Sequence, residues 1–490
     1  NDSYSADFTS LQIALNFLKQ QHFNQPRTVI LSDFFESGKK EEELYAHIAQ
    51  TVLQHGIQKA VLIGEKITAH LPKHLGNNMA VSLFSSTEDF VQHFRTSLFH
   101  NEVILVKGAR KAHFEQVVQL LEYKVHQTLL QINLNAIVHN FKQYKSVLKP
   151  HTKVMAMVKA FAYGSGGAEI AGVLQYHNID YLGVAYTDEG VELRKAGIHI
   201  PIMVMNADES SFAALVEYNL QPVIYSFDLL QRFEGYISSQ ALQYYGVHIE
   251  VETGMNRLGF PLHEMETLSN HLNQKSLVKV ESVFSHLAAS EDATQDAYTA
   301  QQAQTFVQAV QKLEQKLSYT FLKHIANSAG IIRHPQLQFD MVRLGIGLYG
   351  IEIATDKLEL QTAATLRTTI AQLKHLKAGE TVSYNRRGVV KEDSVIATVR
   401  IGYADGYNRR FGNGVGKMVV HGQPAPVIGT VCMDMTMLDV THIKGVKEGD
   451  EVVVFGNELP VDKVASWIDT IPYELMTSIS QRVKRIYYQE

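Results

Sequence analysis

Between Val154 and Leu344 the sequence repeats one pattern eight times, a short apolar run followed by a longer, more polar stretch. The runs are Val154 to Val158, Tyr181 to Ala185, Pro201 to Met205, Pro222 to Ser226, Val247 to Val251, Val280 to Ser285, His324 to Ala326 and Met341 to Leu344. Short, nearly continuous apolar runs read as strands buried on both faces. Stretches such as Gly167 to Gln175 or Ala300 to Lys316 carry helical spacing. Eight βα units in succession predict a TIM (β/α)8 barrel, whose reactive groups sit at the carboxyl ends of the strands. An open doubly wound sheet satisfies the same pattern, because sequence carries no signal for closure.

The flanks differ. Residues 1–125 alternate short apolar runs (Thr28 to Ser32, Lys59 to Gly64, Met79 to Phe84, Val103 to Val106) with helical periods at Leu11, Leu15, Leu18 and at Leu44, Ile48, Val52. This predicts a small Rossmann-like α/β domain, with a boundary near Val125 that no Pro/Gly-rich linker marks. After about residue 365 helical periods fade, and Thr381 to Tyr384, Val395 to Ile401, Lys417 to Val420 and Glu451 to Phe455 alternate with glycine-containing turns. That predicts an all-β domain. The expected organisation of the 490 residues is therefore an α/β multidomain chain divided as 1–125, 126–364 and 365–490.

Fifty acidic and 45 basic residues leave a formal charge of −5, with no basic cluster, so neither nucleic acid nor an anionic membrane is an expected partner. No apolar run approaches the roughly 18 residues that cross a bilayer. Cys432 is the single cysteine, which excludes an intrachain disulfide and a cysteine-held zinc; a reducing, cytoplasmic setting is expected, and no metal. The chain starts at Asn1 without methionine, as a piece of something longer would.

Lys159 follows the first barrel run in Val158-Lys159-Ala160-Phe161-Ala162-Tyr163-Gly164. A partly desolvated lysine is neutral enough to attack a carbonyl; a solvated strand-end lysine is the plain alternative. His286 ends the sixth run, Asn327 and Ser328 the seventh, Arg343 with Gly345 and Gly347 the eighth, and Arg257 follows the fifth. Singly, Ser328 reads as a loop hydroxyl and His286 as a structural histidine. At five strand ends of one barrel they converge.

The ordered blocks Val158 to Gly164, Thr253 to Gly259, His286, Asn327 to Ala329, Arg343 to Tyr349, Ile401 to Gly406 and Cys432-Met433-Asp434 resemble the alanine racemase family, a barrel followed by a β domain, from about Leu130 to Arg485. The resemblance implies a pyridoxal 5'-phosphate enzyme that interconverts L- and D-alanine and supplies D-alanine for peptidoglycan. It assigns Lys159 as the cofactor's covalent attachment and the base on one face of Cα, and Tyr403 as the base on the other. Racemisation needs both, because a proton removed from one side must return from the opposite side. His286 is implied as the partner of Tyr403 in the cofactor pocket, Arg343 as the group facing the pyridine nitrogen, and Tyr163, Ser328, Gly345 and Ile346 as phosphate ligands. Arg257 and the Met433 amide are implied at the substrate carboxylate or the cofactor phenolic oxygen, with Cys432 and Asp434 beside them. Tyr403 would come from a neighbouring subunit, so a homodimer with shared sites is implied. Two positions depart from the family pattern. Glu250 stands where many relatives carry a carbamylated lysine, offering a fixed carboxylate to hold Arg257 by charge-assisted hydrogen bonds. Gln481 stands where some carry a phosphate-touching tyrosine. The enzyme alternative is a barrel-type pyridoxal phosphate decarboxylase, against which Gly402-Tyr403-Ala404-Asp405-Gly406 and an arginine for the ring nitrogen both speak. A noncatalytic scaffold is the alternative of a different class.

Asn1 to Asp7, Leu31-Ser32-Asp33 and Val106-Lys107-Gly108-Ala109-Arg110 resemble the last domain of the Mur ligase that joins D-alanyl-D-alanine to the muramoyl tripeptide. This implies a ligase–racemase fusion. No G-x-x-x-x-G-K-[S/T] loop is present, so ligase activity is not expected of these residues.

Overall fold

The computed structural model describes residues 8–21, 25–34, 40–76, 79–99, 102–109, 112–121, 127–351 and 358–489. Asn1 to Asp7, Arg110 and the boundary near Val125 lie outside the described residues. The chain divides into two compact units, Asn1–Gln127 with Tyr487–Glu490, and Thr128–Ile486.

In the first unit β1 (Arg27–Ser32), β2 (Lys59–Ile63), β3 (Ala80–Phe84) and β4 (Val103–Lys107) form a parallel sheet in the order β3-β2-β1-β4. A parallel sheet needs cover on both faces. Leu11, Leu15 and Leu18 of the helix Phe8–Gln21, with Leu44, Ile48 and Val52 of Glu41–Gln54, pack with Val29 and Leu31 on one side. Ile30, Val61, Phe90, Phe114 and Val117 form the core on the other. The alternation of Val29, Ile30 and Leu31 between layers follows from the period-two geometry of a strand.

The second unit opens on β5 (Leu129–Asn133), which precedes the barrel in sequence but is not part of it. The barrel strands are β6 (Lys153–Met157), β7 (Tyr181–Val184), β8 (Ile202–Val204), β9 (Gln221–Ile224), β10 (Tyr245–Glu250), β11 (Val278–Phe284), β12 (Leu322–His324) and β13 (Met341–Leu344). They pair in parallel in sequence order, and β13 returns to β6. Backbone bonds from Arg343 N to Ala326 O (2.9 Å) and from Asp340 N to Lys323 O (3.1 Å) draw the last gap together. The fold is thus a barrel rather than an open sheet. Its strands are the eight expected runs, displaced by at most two residues at their ends.

The β-rich part contains β14 (Ala364–Leu376), a two-stranded ribbon of β15 (Thr381–Val382) and β16 (Gly388–Val389), then β17 (Ser394–Val399), β18 (Lys417–Val420), β19 (Gln423–Pro426), β20 (Thr436–Asp439) and β21 (Glu451–Phe455). The main sheet runs β19-β18-β21-β14-β17-β20, with β5 also antiparallel to β14 in the register Leu130↔Leu366 and Ile132↔Ala364. The expected β runs began at Thr381 and omitted β14, its longest strand. Its alternation is masked because one inward position is the polar Thr368, which is buried and bonded to Thr128 Oγ1 at 3.0 Å. Among the described residues no helix is long and apolar enough to cross a membrane.

Candidate active site

Lys159 stands one residue beyond Val158 at the carboxyl end of β6 and opens a left-handed turn: Ala160, Phe161, Ala162 and Tyr163 have φ of 52°, 54°, 49° and 54°. Each such L-residue costs about 1–2 kcal/mol, so the surroundings must impose the turn. Glu189 does so from the first turn of the helix Thr187–Lys195 after β7, its carboxylate accepting Ala160 N (2.5 Å), Ala185 N (2.7 Å) and Tyr186 N (3.2 Å). Gly164 ends the turn at φ 83°, where a Cβ would strike the Met476 carbonyl. Burial, then the Arg257 and Arg343 charges, hold the Lys159 ammonium below the ordinary lysine range, with Glu189 opposing.

Arg343 on β13 is buried, and burial brings its guanidinium down to about 10. Among the described residues no carboxylate bonds it. Its Nη2 donates to Ser285 O (2.7 Å), Ile325 O (3.2 Å) and His286 Nδ1 (3.3 Å), and Nη1 to His324 Nδ1 (2.8 Å). An arginine only donates, so both histidines must accept at Nδ1 and carry their proton on Nε2. The polarity then propagates through the barrel interior: His324 Nε2 to Ser282 Oγ (2.8 Å), Ser282 Oγ to His248 Nδ1 (2.6 Å), His248 Nε2 to Gln221 Oε1 (3.0 Å). The register His248↔Ser282 across β10 and β11 makes the middle contact possible. Sequence reasoning overlooked this chain, although polar residues inside otherwise apolar strand runs were its visible signal.

Burial pushes His248 and His286 down to about 3 and drives His324 well below the ordinary value, Arg343 adding to the last two. Such histidines stay neutral in the folded state while the unfolded chain takes up protons below about 6.5. Stability is then fully present above pH 6.5 and falls as pH drops toward 3, by up to about 1.4 kcal/mol per pH unit for each histidine. Urea midpoints are expected to decline steadily from pH 7 to pH 5, and a flat profile there would contradict the neutral trio.

Ser328 Oγ accepts Gly345 N (3.0 Å) and Gly347 N (3.4 Å), holding the loop that carries Ile346 after β13. The buried Tyr163 phenol faces the same spot. A Cβ on Gly345 would lie 2.9 Å from its Oη and 3.8 Å from Ser328 Oγ. Burial pushes this phenol up, so it remains a neutral donor. Behind the loop, Asn140 uses Nδ2 on Leu348 O (2.9 Å) and Gln361 O (2.8 Å). Gln302, also missed in the sequence, braces the His286 loop through His286 O (3.1 Å) and Ala288 N (2.9 Å).

Glu250 ends β10 and is buried; burial pushes its carboxyl up while Arg257 and Arg343 oppose. The expected hydrogen bonds from Arg257 are not formed, and this is a correction. Arg257 sits on the exposed turn after β10, and among the described residues no hydrogen bond joins it to Glu250.

Tyr403, Cys432, Met433 and Asp434 form a second group. Tyr403 N donates to Cys432 O (3.0 Å) and Ala404 N to Met433 O (3.0 Å), and Gly402 is required because any Cβ would overlap those two carbonyls. Tyr403 is 43% and Met433 53% exposed, so their side chains face outward. Among the described residues no hydrogen bond or ion pair joins this group to Lys159, His286 or Arg343. Gln481 is likewise exposed. No group of three or more His, Cys, Asp or Glu among the described residues could hold a metal.

Residues 132–353 match the pattern described as alanine racemase, N-terminal domain, and residues 363–487 that of the alanine racemase C-terminal domain. Alanine racemase 2 of Caldanaerobacter subterraneus subsp. tengcongensis is 38% identical over 376 residues, covering 74% of this chain and 95% of that protein. The chain belongs to the alanine racemase family. Among solved structures, the alanine racemase of Clostridium difficile 630 superimposes with a TM-score of 0.71 at 33% identity, over 75% of this chain and 97% of that one. The Bartonella henselae alanine racemase, determined with covalently bound pyridoxal phosphate, gives 0.69 at 28% identity, over 74% and 100%. The alanine racemase N-terminal match contains all of the barrel-mouth group, and the C-terminal match contains Tyr403, Cys432, Met433 and Asp434.

Proposed function

We propose that the chain interconverts L- and D-alanine with pyridoxal phosphate held on Lys159, and that two copies share their sites, Tyr403 of each completing the barrel mouth of the other. The observation that carries this reading is a lysine held below its ordinary range beside a buried arginine whose partners are carbonyls and neutral histidines. The residues fit the cofactor. The small cradle at Gly345, bounded by the Tyr163 and Ser328 hydroxyls, suits a phosphate oxygen, and the surrounding charge is positive.

Pyridoxal phosphate, when bound, supplies a carbon for amine attachment and a ring that draws electron density from Cα. Lys159 Nζ holds or returns the proton on one face of Cα, and Tyr403 Oη does so on the other. Arg343, fixed by the Ser285 and Ile325 carbonyls, would face the ring nitrogen as a donor and so keep it unprotonated. The Tyr163 and Ser328 hydroxyls and the Ile346 amide would hold the phosphate, Gly345 serving by its lack of a side chain because its amide is given to Ser328 Oγ; Arg257 and the Met433 amide would receive the substrate carboxylate or the phenolic oxygen, beside Cys432 and Asp434. His286, neutral and accepting from Arg343 at Nδ1, has Nε2–H free to orient the Tyr403 oxygen. The exposure of Tyr403 and Met433 in a single chain supports the homodimer. Glu250 balances the two arginines through space, and Glu250→Gln is expected to lower kcat/KM for alanine about tenfold, chiefly through KM. Unchanged steady-state constants would remove that role.

We read residues 1–125 as a Mur ligase closing domain fused ahead of the racemase, with cytoplasmic D-alanine feeding peptidoglycan synthesis. The β3-β2-β1-β4 order supports this, as does Ser32 at the switch point between β1 and β4, where Oγ accepts Ala109 N at 2.7 Å. The racemase reading is tested with L-alanine and pyridoxal phosphate in deuterated water. Loss of optical rotation with deuterium at Cα and no carbon dioxide is expected; carbon dioxide release indicates a decarboxylase, and neither change indicates a scaffold.

A further inference from the structure

Arg482 lies beyond every residue given a role above, yet it joins the two loops that present Tyr403 and Met433. Its Nε donates to Asp405 Oδ1 at 2.7 Å and its Nη2 to Asp434 Oδ1 at 2.7 Å. Asp405 sits inside the Tyr403 turn with its side chain 1% exposed, and its second oxygen accepts Gly402 N at 2.9 Å. A carboxylate buried this deeply is costly unless a cation and further donors satisfy it, so Arg482 and the Gly402 amide together fix its rotamer. Asp434 is on the opposite loop and exposed. Between these ion pairs run the two backbone bonds from Tyr403 N and Ala404 N to the Cys432 and Met433 carbonyls. The segment that carries Arg482 is itself tied to the turn by Ser480 N to Asp405 O at 3.1 Å.

We infer that Arg482 is a positioning residue, locking the Tyr403 turn and the Cys432–Asp434 loop into one rigid edge and so setting where the phenol and the Met433 amide meet the substrate. The planar guanidinium can serve two carboxylates from fixed directions, whereas a lysine ammonium is a point charge on a flexible stem. The inference rests on Tyr403 being one of the two bases. Misplacement of a reacting group by about 1 Å can cost on the order of 100-fold in rate.

The test compares Arg482→Gln, Arg482→Lys and Asp434→Asn, each as holoprotein, with the unaltered chain. Amide hydrogen exchange in peptides spanning 402–406 and 432–434 is expected to quicken about tenfold in Arg482→Gln while the barrel peptide 154–164 is unchanged, with partial protection returning in Arg482→Lys. Asp434→Asn, which breaks only the exposed arm, keeps the fold and shows a smaller increase. In Arg482→Gln, kcat is expected to fall about 10- to 100-fold with KM within about threefold. The alanine enantiomer whose proton Lys159 removes is expected to exchange its Cα hydrogen with solvent at an unaltered rate, while exchange from the other enantiomer slows by the same roughly 10- to 100-fold. Unaltered protection of both loops in both Arg482 variants, or equal loss of Cα exchange from the two enantiomers, would overturn the inference. Tyr403→Phe run alongside keeps the two ideas apart. If it racemises normally the two-base reading fails, and the lock is then decided by amide exchange alone.

Discussion

Lys159→Ala is expected to abolish racemisation, with kcat reduced by about 1000-fold or more, because the proposed cofactor anchor and one of the two proposed bases are lost together. The position is demanding. Lys159 enters a left-handed turn imposed by Glu189 and Gly164, and its ammonium is held below the ordinary range by burial and by Arg257 and Arg343. Borohydride treatment with pyridoxal phosphate should fix the cofactor to a peptide containing residues 158–164 in the unaltered chain and to no peptide in the variant. Residual activity within about tenfold of the unaltered chain, or a colourless unaltered protein in the presence of pyridoxal phosphate, would sink the assignment.

The second large effect is expected on mixing. Tyr403→Phe and Lys159→Ala homodimers should each be inactive, while an equal mixture allowed to exchange subunits should recover about a quarter of full activity, since half the dimers are mixed and each holds one intact site. Gel filtration of the mixture would check that dimers are present. The rationale is geometric: within one chain Tyr403 faces outward at 43% exposure, with no bond to the Lys159 group. No recovery from a mixture shown to contain mixed dimers would place both bases in the same subunit.

Much of the barrel was legible because burial on both faces leaves short, continuous apolar runs, and eight of them in a row have few solutions. Strand β14 was hidden because its inward Thr368 breaks the apolar alternation on which a half-buried strand is recognised. Strand β5 was invisible for a different reason. Its pairing with β14 joins Ile132 to Ala364, a partner no local pattern announces. At the site, residue types that carry chemistry stood out at strand ends. The groups that orient them did not: His324, Ser282 and His248 lie within strands, Gln302 on a helix, and Arg482 near the carboxyl end. Glu250 shows the converse error, a plausible pairing with Arg257 inferred from residue types alone that the exposed turn does not make.

The sequence by itself determined the eight-unit barrel, the family and the candidate residues for the chemistry, since these depend on local periodicity and on ordered motifs. Tertiary structure decided closure of the barrel, the direction of the hydrogen-bond chain behind Arg343, the burial of Glu250 without a bond to Arg257 and the outward placement of Tyr403. These depend on distances between residues far apart in the chain, and hydrogen-bond direction, burial and charge coupling acquire values only once those distances are fixed.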